Sequence, residues 1–283
     1  MFNERGRPVR SYLLGFALCL SGLNCSAGGP PVRIGVTNTI QPFTLPAQDS
    51  GLLVDLLRAA FAAESVPSSF QYMPPLRLVR EFELGRIDIY TSAKPNTGQP
   101  GVLSHWPVTT FRNQAITLKA NFSRLDGIEA MTKLRVVTFQ NAKRFLGPEF
   151  AAMAAANKDY IELAGHLPTA MLSLDRADVM VSQPDIFRFW LLHDKARRDK
   201  QPVLNDFAFH DLFGAGNKYW FAFRSEALRD QFERGIKAIY QNGQAEAIIN
   251  RYAVDYGSSR DFLIELDCRF KKERPANCQA ATP

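Results

Sequence analysis

The chain has 283 residues, 46% hydrophobic and 22% charged, a globular balance that excludes a disordered or collagen-like protein. Its formal net charge is +6, but no basic helix interleaved with aromatics appears, so a nucleic-acid role is not supported. No run of about 18 apolar residues follows the N-terminus, which excludes a membrane bundle.

Residues 1–27 have the layout of a secretory signal peptide. Arg5, Arg7 and Arg10 precede a short apolar stretch from Tyr12 to Leu23, and Cys25, Ser26 and Ala27 offer small residues for cleavage. The pattern predicts a cut after Ala27 and export to the periplasm; an uncleaved anchor is the other reading. Removing this segment takes away Cys19 and Cys25. Cys268 and Cys278 remain, and two cysteines in an exported chain predict a structural disulfide closing a small C-terminal loop.

The alternating, β-rich run Val32–Thr37 predicts a strand. Gln41, Pro42 and Phe43, then Asp49, Ser50 and Gly51, carry loop chemistry. Residues 52–63 predict a helix with Asp55 and Arg58 as its only polar stripe. A strand at 70–73, a helix at 77–84 stopped by Gly85, and a strand at 87–91 complete βαβ units, hence a parallel sheet covered by helices. Residues 114–118 predict a strand that leaves this unit. A second α/β run follows: strands at 134–139, 160–163 and 178–181, and helices at 148–156, 168–174 and 184–193. Residues 194–201 are dense in charge and predict an exposed loop. A strand at 219–223, an amphipathic helix at 226–241 ended by Asn242 and Gly243, and a helix at 244–252 close the reading.

No internal repeat stands out, and no nucleotide-binding, hydrolase, zinc-protease or CxxC motif is present. The histidines at 105, 166, 193 and 210 are scattered, so no metal site or cofactor is expected.

The order of parts resembles a known family. An exported VRIGVT strand leads to a Pro-Phe loop, then Asp49, Ser50 and Gly51 before an apolar helix. A helix then ends in Gly85-Arg-Ile-Asp88, followed by a Ser/Thr-bearing turn. Near the end come the run from Ala227 to Gly243 and Ile248-Ile-Asn-Arg-Tyr252. Over roughly residues 31–253 this is similar to the family 3 solute-binding proteins of ABC importers, which include the polar amino-acid receptors. The resemblance implies an α/β, two-lobe periplasmic binding protein fold (type II), with central mixed sheets flanked by helices and a two-strand hinge. Lobe 1 is expected at 28–117 and 218–265, lobe 2 at 118–217, and a tail with the disulfide loop at 266–283. The hinge is expected near Ile116–Asn121 and Gly214–Tyr219.

Amino-acid receptors of this family hold the ligand carboxylate with an Arg three residues after a Thr, and its ammonium with an Asp in lobe 2. Here those positions carry Asn96 and Gln99 in lobe 1 and Gln183 in lobe 2, with Asp185 two residues on. The resemblance therefore implies a ligand other than an ordinary α-amino acid. The expected binding set is Phe43 as an aromatic wall; Tyr90, Thr91, Ser92 and Lys94 at a strand end; Asn96, Thr97 and Gln99 in the following turn; and Gln140, Asn141, Gln183 and Asp185 from lobe 2. Gln140 and Asn141 open a strand-to-helix turn where helix amides favour anions. The implied function is capture of a small polar ligand between the lobes and its presentation, by a monomer, to an ABC permease. A sensor or interaction module signalling by lobe closure is the alternative. An exported enzyme is a third reading, weakened because Asp185, Lys94 and Asp49 form no convincing acid–base pair.

Overall fold

A computed structural model describes residues 29–193 and 202–278. The expected leader at 1–27, most of its boundary, and the charged loop at 194–201 lie outside the described residues. Strand β1 (Val32–Thr37) leads through a loop to helix α1 (Leu52–Ala63), β2 (Ser68–Met73), α2 (Pro75–Glu83) and β3 (Ile89–Ala93). Short strands β4 (Val102–Leu103) and β5 (Thr109–Phe111) come next. The chain then builds β6 (Gln114–Leu118), β7 (Val136–Phe139), α3 (Ala142–Phe145), α4 (Pro148–Ala156), β8 (Tyr160–Leu163), α5 (Leu167–Ser173), β9 (Val179–Ser182), α6 (Pro184–His193) and β10 (Phe207–His210). It returns through β11 (Asn217–Phe223) to α7 (Glu226–Gln241), α8 (Gln244–Tyr256) and α9 (Ile264–Phe270).

These strands form two mixed sheets. The first has the order β2-β1-β3-β11-β4, with β5 also paired to β11; the second has the order β10-β6-β9-β7-β8. In the first, β1 is parallel to β2 and β3, and β11 runs antiparallel to β3, β4 and β5. In the second, β7 is parallel to β8 and β9, and β6 is antiparallel to β9 and β10. The chain crosses between sheets at 112–113 and at 211–216.

Two expectations about these crossings need correction. Ile116 pairs with Phe209 and Met180 inside the second sheet, so 116–121 is not a crossing. The whole strand 114–118, placed by sequence largely in the first lobe, belongs to the second sheet. Likewise Asn217, Lys218 and Tyr219 pair with β5 in the first sheet, so the second crossing ends before them. The shift arises because the short strand β5 ends the first sheet before the stronger QAITL pattern begins. At Gly216 (φ 87°) the two crossings touch: a Cβ there would lie 2.9 Å from the Phe111 carbonyl oxygen.

Burial explains the helix placement. The apolar faces of α1, α7 and α8 cover one side of the first sheet around Phe61, Phe221, Phe232 and Ile249. Helix α2 covers the other side through Leu78 and Phe82. Helices α1 and α7 meet at Gly235, where a Cβ would fall 2.1 Å from the Ala60 carbonyl oxygen, so only glycine allows this approach. Asp55, one half of the predicted polar stripe on α1, accepts from Tyr252 (2.8 Å) and Arg251 on α8. In the second sheet α4 packs one face through Phe150, and α5 and α6 pack the other through Leu172 and Phe187. Helix α6 serves both cores: Phe187 enters the second and Phe189 the first.

One device appears in both sheets. Asp88 accepts from the Arg33 backbone N–H (3.0 Å) and side chain (2.7 Å) while its own N–H donates to the Arg33 carbonyl (2.7 Å). Asp178 does the same with Arg135, at 2.7, 2.6 and 2.9 Å. Each Asp follows a helix and a left-handed residue, Gly85 (φ 70°) or Asp175 (φ 54°). The segments Gly85-Arg-Ile-Asp-Ile89 and Asp175-Arg-Ala-Asp-Val179 are thus equivalent, an echo too short to register as a sequence repeat. Cys268 and Cys278 are bonded, tying α9 to the segment after it.

Candidate functional site

A cavity of about 430 Å³ opens between the two sheets. Its floor is the carboxyl ends of the parallel strands: Thr37 and Asn38 at the end of β1, Thr91 and Ser92 in β3, Phe139 to Asn141 at the end of β7, and Ser182 and Gln183 at the end of β9. Ligands in open α/β sheets sit beyond these strand ends.

Six of the expected residues line it: Thr91, Ser92, Gln99, Gln140, Asn141 and Gln183. Six do not. Phe43 is fully buried, stacked on Phe262 at 3.7 Å and edge-on to Phe111 at 6.2 Å. It backs the aromatic wall, and Phe262 and Phe111 form it. Tyr90 has the opposite strand parity from Thr91, so it packs on Phe82 and its hydroxyl donates to the Pro100 carbonyl (2.9 Å). Lys94 turns to Asn217 Oδ1 (3.3 Å) and lies over the Tyr219 ring (5.0 Å), where burial lowers its pKa. Asn96, at φ 61°, and Thr97, bonded to the Lys94 carbonyl (2.8 Å), are exposed turn residues.

Asp185 is buried and fully engaged. It accepts from Gln183 Nε2 (2.9 Å), Arg188 (3.0 Å), and the N–H (3.0 Å) and hydroxyl (2.7 Å) of Ser259. It therefore joins α6 to the segment after α8. Gln183 borders the cavity, yet its Oε1 takes the Asp185 and Ile186 N–H groups at 2.6 and 3.1 Å, capping α6. The expected anion site at the turn before α3 is also filled from within. Glu162 accepts the N–H groups of Asn141 (2.7 Å) and Lys143 (3.3 Å) and the Tyr160 hydroxyl (2.6 Å). Its burial and the Glu162 contact push the Tyr160 pKa well up.

No protein-family model and no curated protein matches the sequence. Solved structures do match. A histidine kinase sensor domain with similarity to periplasmic binding proteins gives a TM-score of 0.62 at 16% identity, covering 78% of this chain and 95% of that one. An ancestral arginine-binding protein bound to arginine gives 0.61 at 15% identity, covering 78% and 97%. The substrate-binding protein of an amino-acid ABC transporter gives 0.58 at 14% identity, covering 79% and 99%.

The fold is that of a type II periplasmic binding protein.

In such a two-lobe fold the cavity is the interlobe cleft, and its chemistry is uneven. The walls are mostly apolar. Phe111, Phe262 and Leu53 come from the first lobe; Phe139, Phe145 and Ile186 come from the second. Arg144, on α3, is the one charged residue lining the cleft among the described residues. Its guanidinium has no hydrogen bond or ion pair to another described residue. Asn113, in the first crossing, is only 7% exposed, and its side-chain amide has no partner among the described residues. Gln99 spends its oxygen on the Lys94 N–H (3.1 Å), leaving its Nε2 unengaged among the described residues.

Sequence reasoning missed Arg144, Asn113 and the phenylalanines. Arg144 belongs to a Lys-Arg pair that reads as surface charge. Asn113 was hidden by placing the crossing too late, because the three-residue strand β5 before it leaves no pattern in the sequence.

Proposed function

We propose that this chain is a periplasmic solute-binding protein that captures a small ligand between its lobes and presents it to an ABC importer. The observation that carries this reading is a cleft lined from both lobes, with free hydrogen-bonding groups at Gln99, Asn113 and Arg144. The match to the substrate-binding protein of an amino-acid ABC transporter supports it. A ligand bridging both walls has higher affinity for the closed form and shifts the population toward it. The crossings at 112–113 and 211–216 are the pivot. No catalytic role is assigned: the cleft lining holds no carboxylate, histidine, cysteine or lysine among the described residues, so it lacks an acid–base pair.

A second reading, a sensor module signalling by closure, draws on the histidine kinase sensor domain of the same fold. It shares the cleft and the motion and differs in the membrane partner.

The test is thermal unfolding against amino acids, organic acids, amines, sugars and peptides, after removal of carried-over ligand, with small-angle scattering on each hit. A binder raises the melting temperature and reduces the radius of gyration. No shift and no compaction across all classes would overturn ligand capture. Co-purification with an ABC permease separates the importer reading from the sensor reading.

A further inference from the structure

We infer that the cleft takes a monocarboxylate with an aromatic or branched apolar body and no ammonium group, with Arg144 as the charge partner of the carboxylate. This rests on the solute-binding reading above. The charge inventory comes first. The described cleft lining contains one cation and no anion. Two carboxylates next to lobe 2 cleft segments are committed: Glu162 to two backbone N–H groups and Tyr160, Asp185 to Ser259, Arg188 and Gln183. An α-ammonium would be buried here without a counter-charge, which is strongly unfavourable.

The choice of a carboxylate follows from the donors. One guanidinium presents a planar fork that matches a carboxylate in two parallel hydrogen bonds. A phosphate dianion favours several cations or free helix amides, and two amides at the start of α3, those of Asn141 and Lys143, are already taken by Glu162. Lys94, over the Tyr219 ring, adds positive potential one layer behind the wall. Gln99 Nε2 and the buried Asn113 amide supply further donors. Phe111, Phe262, Phe139 and Phe145 leave the ligand body an apolar, largely aromatic surrounding.

The experiment is calorimetric titration of the protein, expressed from its full chain and freed of carried-over ligand. The probes are matched: 3-phenylpropanoate against phenylalanine, 4-methylpentanoate against leucine, and 3-phenylpropanamide as the uncharged analogue. Each acid is expected to bind at least about tenfold more tightly than its amino acid. Arg144→Gln is expected to weaken the acids by about ten- to a hundredfold while leaving the amide analogue unchanged. Among the described residues Arg144 has no partner to lose, so the variant should melt with the wild type. Equal or tighter binding of the amino acids would overturn the charge argument, and unchanged acid affinity in Arg144→Gln would overturn the role of Arg144. Binding of sugars or amines instead would refute the carboxylate while leaving solute capture intact. No binding by any class would remove both.

Discussion

Asp185 separates a ligand anchor from a structural joint, and its replacement distinguishes them. Its side chain is buried and receives four hydrogen bonds, two of them from Ser259 across the junction between α6 and the segment after α8. Asp185→Ala leaves the Ser259 N–H and hydroxyl and one Gln183 hydrogen without a partner. Removing one side of a buried charged contact costs about 3–5 kcal/mol. Arg188 is 30% exposed and can rehydrate, so the lower end, about 3 kcal/mol, applies. At about 2–4 °C per kcal/mol for a chain of this size, the melting temperature should fall by about 6–12 °C. Asp185→Asn keeps the shape and should lose less than half as much. Calorimetric melting of both variants, with ligand titration beside it, is the assay. A melting temperature within about 1 °C of wild type for the alanine variant, with ligand affinity lost, would refute the joint and restore the anchor.

Gly235→Ala should destabilise the fold by at least about 1–3 kcal/mol, because the new methyl meets the Ala60 carbonyl and forces α1 from α7; denaturant melts check it. The Arg33 and Arg135 hydrogen bonds hold Asp88 and Asp178 below the usual carboxylate range, so their stabilisation is complete above the unfolded value of about 3.9 and disappears as pH falls through the folded values. An Asp88→Asn, Asp178→Asn double variant should therefore melt lower at pH 7 and show a shallower decline below about pH 4, read by melting temperature against pH. Cys268→Ser with Cys278→Ser should release a loop of sequence separation 10 and cost about 2–3 kcal/mol, measured by the same melts without reductant.

The long elements were legible because local signals agreed. Helices α1, α4, α6 and α7 begin and end where the sequence places them, since apolar periodicity meets Gly51 before α1, Pro at the start of α4 and α6, and Asn242 and Gly243 after α7. Strands β4, β5 and β10 were missed: two to four residues carry no usable alternation, and they exist only because β11 or β6 offers them a ladder. The same limit moved the first crossing and concealed Asn113. In the cleft, counting from strand ends found Thr91, Ser92, Gln99, Gln140 and Asn141, since topology brings those positions together. It misplaced Tyr90 by strand parity. It also took Gln183 and Asp185 as free groups, although both are consumed by backbone and side-chain donors that are local in space rather than in sequence.

The position of β11 bears on the order in which the molecule assembles. Every strand of the second sheet lies between residues 114 and 210, so that half is complete in one uninterrupted stretch of chain. The first sheet waits. Strands β4 and β5 pair only with β11, and β3 has an open edge until β11 inserts between it and β4. During synthesis the second lobe can therefore fold while the first still exposes unpaired β3 backbone, the kind of edge that attracts other chains. Closure of the first lobe, and with it the Tyr219 side of the cleft, comes only with the last strand.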